Sequence, residues 1–154
     1  MSRAGSAAVL AMLFLSGCME VAELPRTTAP ELLDTVRNGT AQLGCVSSAS
    51  ADLWLSRAEQ AAIYTKQGRW AELSTLLVAT NYRSDLTWWF LGRAADGLGS
   101  PKAAVGYYET ARGELGNGQS CLVSGLCREL DLRKEIDFAL AQDKAKAGVK
   151  TAAR

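Results

Sequence analysis

This 154-residue chain contains four cysteines and no histidine. Without histidine the chain lacks the commonest general base, the usual nucleophilic triads and the imidazole ligand of most zinc sites. Five residues intervene between Cys121 and Cys127, whereas two intervene in redox-active CxxC pairs. Carboxylates such as Glu109, Glu129 and Asp131 lie among arginines at helical spacing, which is typical of solvated ion pairs. These residues predict no enzyme, no metal site and no cofactor.

Cys18 closes a distinctive amino-terminal segment. After Arg3, residues 7–15 form nine consecutive apolar residues, a run too short to span a bilayer and typical of the hydrophobic region of a signal peptide. Residues 15–18 then read Leu-Ser-Gly-Cys. This stretch resembles the lipobox of bacterial lipoproteins, in which the chain is cut before the cysteine and the thiol is diacylated. An ordinary secretory signal that happens to precede a cysteine is the alternative.

The lipobox resemblance implies a signal peptide over residues 1–17 and a chain of 137 residues attached to the membrane through lipid on Cys18. Acyl chains contribute about 0.8 kcal/mol per buried methylene, so two or three of them hold a protein without a spanning helix. In the family's sorting pattern, Met19 in place of aspartate indicates the periplasmic face of the outer membrane. Removing Arg3 leaves 16 basic and 16 acidic side chains, which predicts no attraction for nucleic acid.

Three cysteines remain after the proposed anchor, and the periplasm that the resemblance implies permits disulfides. We expect a structural bridge between Cys121 and Cys127, with Gly125 helping the chain to turn back, and we expect Cys45 to be buried or free. A bridge from Cys45 to either of the others is the alternative, and it would close a far longer loop.

The rest of the chain predicts one all-α domain over residues 31–147. Residues 18–30 contain two prolines and read as a tether, and a short helix over 31–37 should end at the Asn38-Gly39 turn. The last helix, over about 129–144, carries an apolar stripe on one side, and residues 148–154 should fray. The stripe consists of Leu132, Ile136, Ala139 and Leu140.

Four helices are predicted between these covering helices, and they pair into two hairpins. Their predicted ranges are about 50–67, 69–79, 85–98 and 101–112. The turn glycines of the two hairpins, Gly68 and Gly99, are 31 residues apart, which suggests an internal repeat.

The second hairpin resembles a tetratricopeptide repeat, because it carries the residue types of that repeat at the expected offsets. The matching residues are Trp88, Leu91, Gly92, Gly99, Ala104, Tyr108 and Ala111. Ala95 and Gly116 depart from the pattern, and the first hairpin matches it at fewer positions. The resemblance covers residues 54 to about 118 and implies a short α-solenoid of two helix hairpins with covering helices at both ends. Gly92 and Ala104 should let the two helices of the second hairpin approach closely.

Trp88 and Trp89 are adjacent on a helix, so their side chains point about 100° apart and cannot face the same neighbour. Trp88 holds a core position of the repeat. The resemblance places Trp89 on the concave groove, with Arg93 one turn further on. The groove is predicted to include Leu86, Trp89, Arg93 and Asp96, with Lys66 on the first hairpin. A tryptophan beside an arginine is typical of protein-binding hot spots. The alternative is that Trp89 packs on the second helix or a covering helix.

These features predict a non-catalytic adaptor or assembly factor that holds part of another envelope protein, with no small-molecule substrate. Lipoproteins of this design include pilot proteins, which escort secretins or pilus components to the outer membrane. A permanent structural subunit of an envelope complex, fixed through the convex face and the loop with Cys121 and Cys127, is the alternative from another class.

Overall fold

The computed structural model describes residues 29–44, 47–115 and 130–152. These ranges contain six α-helices and no β-strand, which confirms the all-α prediction. The helices are α1 (Ala29–Asn38), α2 (Ser48–Gln67), α3 (Trp70–Thr80), α4 (Asp85–Gly97), α5 (Pro101–Glu114) and α6 (Leu132–Ala152).

Local sequence sets the helix ends. Ser47 and Ser84 each precede a helix, and their hydroxyls accept hydrogen bonds from the backbone amides of Ser50 and Thr87. These bonds satisfy amides that the first helical turn leaves unpaired. Gly68 ends α2 in the left-handed region, at a φ of 68°, which costs glycine little because it has no Cβ. Helices α2 to α5 therefore begin and end close to where the sequence predicted.

The two ends of the domain differ from the predicted boundaries. α1 begins at Ala29, so the last two residues of the predicted tether are helical. α6 begins at Leu132 and continues to Ala152, so most of the tail predicted to fray is helical as well. Alanine and lysine make up most of residues 144–152, which contain no proline. Both have high helix propensity, which favours continuing the helix.

α4 is the centre of the domain. It packs against α3 on one side and α5 on the other, α5 packs against α6, and α1 lies against α3 and α4. Ten of the thirteen residues of α4 are buried. A helix enclosed on nearly all sides has no exposed face that a periodic pattern could reveal.

Except for Gly99, which is an exposed turn residue, the residues behind the repeat resemblance lie in this core. Leu91, Ala104 and Ala111 are fully buried. Trp88 is buried and stacks on Tyr107, with 5.9 Å between the ring centroids, as its predicted core position requires.

Gly92 marks the closest approach of α4 and α5. A Cβ built on this glycine would lie 2.5 Å from Cε1 of Tyr108, which is itself almost fully buried. The tyrosine ring thus occupies the volume that any larger residue at position 92 would need. Gly97, at the end of α4, has the same relation to Trp70, whose ring fills the place of the missing Cβ. The residue pattern predicted the close approach at Gly92 but not the one at Gly97.

The apolar stripe of α6 faces the core as predicted, since Leu132, Ile136, Ala139 and Leu140 are all buried. Phe138 lies on the same helix but is 61 % exposed. Its ring is therefore on the solvent side of α6.

One hydroxyl ties α1 and the segment after it to α5. Tyr107 accepts a hydrogen bond from the buried backbone amide of Ala41 at 3.1 Å and donates to the carbonyl of Thr35 at 3.3 Å. Burial raises the pKa of this tyrosine, partly offset by the amide of Ala41, so the hydroxyl stays protonated at neutral pH.

We expect Tyr107→Phe to lower the free energy of unfolding by about 1–2 kcal/mol, because it leaves a buried amide without its acceptor. Urea denaturation followed by circular dichroism measures the change. Tyr64→Phe is the matched control, because the Tyr64 ring lies under the Arg69 guanidinium group and Phe retains that contact. Equal effects of the two substitutions would contradict the role assigned to the Tyr107 hydroxyl.

Candidate functional site

An open apolar groove of about 700 Å³ runs between α1, α2 and α3, and we call it the α1–α3 groove. α2 contributes residues 53, 57, 60 and 64, a spacing that places them on one helix face. α1 contributes Leu33, and α3 contributes Glu72 and Leu76 among others. Leu33 and Leu76 are half-buried, and Leu53 is 42 % exposed. The groove therefore presents leucine side chains to solvent in one place.

The α1–α3 groove is lined by one cation, Arg57, and one anion, Glu72, and of these two only Glu72 forms an ion pair among the described residues. Arg69 donates two hydrogen bonds to Oε1 of Glu72, at 2.9 and 3.0 Å. The pKa of Glu72 lies below its ordinary value because of a backbone hydrogen bond and this arginine. Arg57 lines the same groove and is exposed, and it forms no ion pair with any residue in the described ranges. The groove thus offers apolar surface beside a cation whose charge is not offset.

The sequence-predicted groove on α4 does not form an open surface. Leu86 and Trp89 are 2 % and 7 % exposed, which corrects the prediction that they are available to a partner. The Trp89 ring lies 4.9 Å from that of Phe90, and its indole N–H has no hydrogen-bond partner in the described structure. Burial of the large apolar ring outweighs the cost of that unpaired N–H. Trp89 is therefore a buried residue and not an open groove residue.

Two charged residues of the predicted groove, Arg93 and Asp96, already contact other side chains of the protein. The guanidinium group of Arg93 lies 6.0 Å from the centre of the Trp89 ring, within reach of a cation–π contact. Asp96 accepts a hydrogen bond at 2.7 Å from Lys146 of α6, so α6 reaches this side of α4. Lys66 is exposed on the last turn of α2, whereas the four other residues of the predicted groove belong to α4.

Lys146 also joins two carboxylates. Its Nζ lies 2.7 Å from Oδ1 of Asp96 and 2.7 Å from Oδ1 of Asp143. Asp143 is 1 % exposed, and its Oδ2 has no hydrogen-bond partner among the described residues. Burial raises the pKa of Asp143 above its ordinary value, although the hydrogen bond from Lys146 opposes this. Hydrogen bonds to Asp143 and Asp96 raise the pKa of Lys146.

The residue pattern did not predict a site at the residues that line the α1–α3 groove. Leu53, Trp54 and Leu55 are consecutive on α2, and three consecutive residues of a helix cannot all face one core. Trp54 is buried, whereas Leu53 and Leu55 are exposed. The run of three large apolar residues was therefore the available signal that α2 presents apolar surface outward.

Several predicted residues lie outside the described ranges. These are Cys18 with the signal peptide over 1–17, most of the tether, Cys45, and the Cys121 and Cys127 pair. In the described part of the chain, no group of three or more acidic or cysteine side chains is placed to hold a metal ion. None of the described helices combines the length and the apolar character that crossing a membrane requires.

Comparisons with known proteins assign no family to this chain: no protein-family model, curated protein or solved structure matches it.

Proposed function

We propose that this protein is a lipid-anchored adaptor or assembly factor on the periplasmic face of the outer membrane, which holds a segment of another envelope protein in the α1–α3 groove. The observation that carries the proposal is the groove itself, where Leu53 stands 42 % exposed beside Leu33 and Leu76. Exposed apolar surface gathered in a concavity favours binding, because a partner removes that surface from water.

The packing of the helices supports a short solenoid of two tetratricopeptide-like hairpins. Helices that follow each other from α2 to α6 also pack against each other, as stacked hairpins do. The contact of Gly92 with Tyr108 favours the same assignment for the α4–α5 hairpin. In this arrangement α1 and α6 are the covers, and the partner site lies beside the first hairpin, away from the buried face of α4.

The groove favours a particular kind of partner segment. Leucines along its walls suit apolar side chains, and Arg57 suits a carboxylate placed near them. Such a charge contributes more to the choice of partner than to affinity. The partner segment should therefore be apolar with an acidic residue.

The anchor part of the proposal depends on the Leu-Ser-Gly-Cys sequence at residues 15–18, directly after an apolar stretch. A lipid on Cys18 would keep the groove close to the membrane. Confinement raises the effective concentration of partners on the same membrane, so modest affinity in the groove suffices.

The test is photocrosslinking in the native envelope, with a photoreactive amino acid at position 53. We expect it to capture one envelope protein, and we expect Arg57→Glu to reduce that capture severalfold. The Cys18→Ser chain, which lacks the thiol needed for the anchor, should leave the membrane fraction and lose the capture.

The matched control probe is at position 138, because Phe138 is exposed and apolar but lies on α6. Capture of the same protein from both positions would mean nonspecific contact and would contradict the groove as the site. Circular dichroism of each variant shows whether the helices are retained.

A further inference from the structure

We propose that residues 19–25 of this chain occupy the α1–α3 groove when no partner is bound. The inference rests on the proposed function in taking the groove for a binding site, but it requires no partner. Three observations carry it: the place where the chain enters the fold, the apolar residues just before that place, and the charge left over in the groove.

The first described helix, α1, begins at the α1–α3 groove. Ala29 is the first residue of α1 and also one of the residues that line the groove. Only residues 26–28 separate it from residue 25, and three residues reach about 10 Å when extended. A segment attached this close has an effective concentration in the millimolar range. Even weak complementarity therefore suffices to fill the groove.

Residues 19–25 have the apolar content that the groove suits. They read Met-Glu-Val-Ala-Glu-Leu-Pro, so large apolar side chains alternate with carboxylates. Leu24 is five residues before Ala29, which places it within about 17 Å of the groove wall. Burying a leucine side chain against others favours binding, because it removes apolar surface from water.

The charges are complementary as well. Glu20 and Glu23 are the two charged residues of the segment, and both are acidic. On the groove side, Glu72 is already engaged by Arg69, which leaves Arg57 as the groove cation without an ion pair among the described residues. A carboxylate from the segment meets this arginine with no competing anion from the rim.

A partner must therefore compete with residues 19–25 for the α1–α3 groove. A segment bound in cis keeps the leucines out of water, and it lowers the apparent affinity of a partner by the fraction of molecules in which it is bound. Apolar surface is then covered until the correct partner is present.

The test is a photoreactive amino acid at position 24 of the full chain, with the crosslinked peptides mapped by mass spectrometry. We expect crosslinks within one molecule to the peptides that contain Leu53 or Leu76. Glu23→Arg should reduce their yield by up to about fivefold, the upper end of the range for loss of one exposed ion pair. Adding Arg57→Glu to Glu23→Arg should restore the yield.

Lys102→Glu, on the exposed side of α5, is the matched charge reversal and should leave the yield unchanged. Crosslinks between copies, crosslinks only to other proteins, or equal yields in all variants would overturn the inference. Circular dichroism identifies any variant that has lost its helices. If position 24 crosslinks to the groove but position 53 captures no envelope protein, the inference stands and the proposed function fails. If position 53 captures an envelope protein but position 24 does not crosslink to the groove, the proposed function stands and this inference is overturned.

Discussion

Replacing Gly92 with alanine should lower the free energy of unfolding by about 2 kcal/mol, although alanine is the better helix former. The new methyl group would lie 2.5 Å from the ring of Tyr108, a distance that two carbon atoms do not tolerate. Tyr108 is 1 % exposed, so the ring has little room to move. α4 and α5 must then separate, and Gly92→Val should cost still more. The midpoint of urea denaturation measures both effects.

Gly106→Ala is the matched control for this prediction. Gly106 lies within α5, and a Cβ at this position meets no atom within 4 Å. Alanine there should stabilise the protein by up to about 1 kcal/mol, through helix propensity alone. If both substitutions are stabilising, the close approach of α4 and α5 at Gly92 is wrong, and the support it lends to a tetratricopeptide-like hairpin is lost.

Removing the Lys146 side chain should cost about 2 kcal/mol at pH 7, because it leaves the buried carboxylate of Asp143 without its ion-pair partner. The same substitution releases Asp96 of α4 from α6. Urea denaturation of Lys146→Ala measures the loss. Lys144→Ala is the control, because the Lys144 and Glu109 side chains are about half exposed. Exposed pairs contribute little.

Asp143→Asn should rescue the Lys146→Ala variant. With a neutral amide at position 143 no buried charge remains, so the double variant should recover most of the stability that Lys146→Ala loses. A double variant that is no more stable than Lys146→Ala alone would show that the loss comes from the lysine side chain itself and not from the stranded carboxylate.

The pH dependence of Lys146→Ala provides a second readout of the same pair. In the folded protein the pKa of Asp143 lies above its ordinary value of 3.8. At a pH between the ordinary pKa and the folded-state pKa, the folded state keeps a proton that the unfolded state releases. Stability from this group therefore falls as pH rises through that window. Because Lys146 opposes the shift, its removal should raise the pKa of Asp143 further. The loss caused by Lys146→Ala should then be smaller near pH 4.5 than at pH 7, and a loss independent of pH would contradict this account.

The sequence by itself determined that the described chain is helical, the approximate ends of α2 to α5, and the buried side of α6. Ser84 and Gly68 mark helix ends through hydrogen bonds and backbone angles that involve only their near neighbours. The stripe from Leu132 to Leu140 shows its buried side by spacing alone, because α6 buries one face. Gly92 could be assigned to a helix crossing because a residue without a side chain lets two helices approach closely.

Tertiary structure decided which surfaces are open. Trp89 is buried because α4 is enclosed by neighbouring helices, and the spacing within α4 is the same whether or not they are there. Asp96 and Lys146 are 50 residues apart and meet only because α6 folds back onto α4. The α1–α3 groove likewise exists only between helices, so no periodicity within one of them could reveal it. Local pattern specifies each helix, whereas exposure depends on which neighbours cover it.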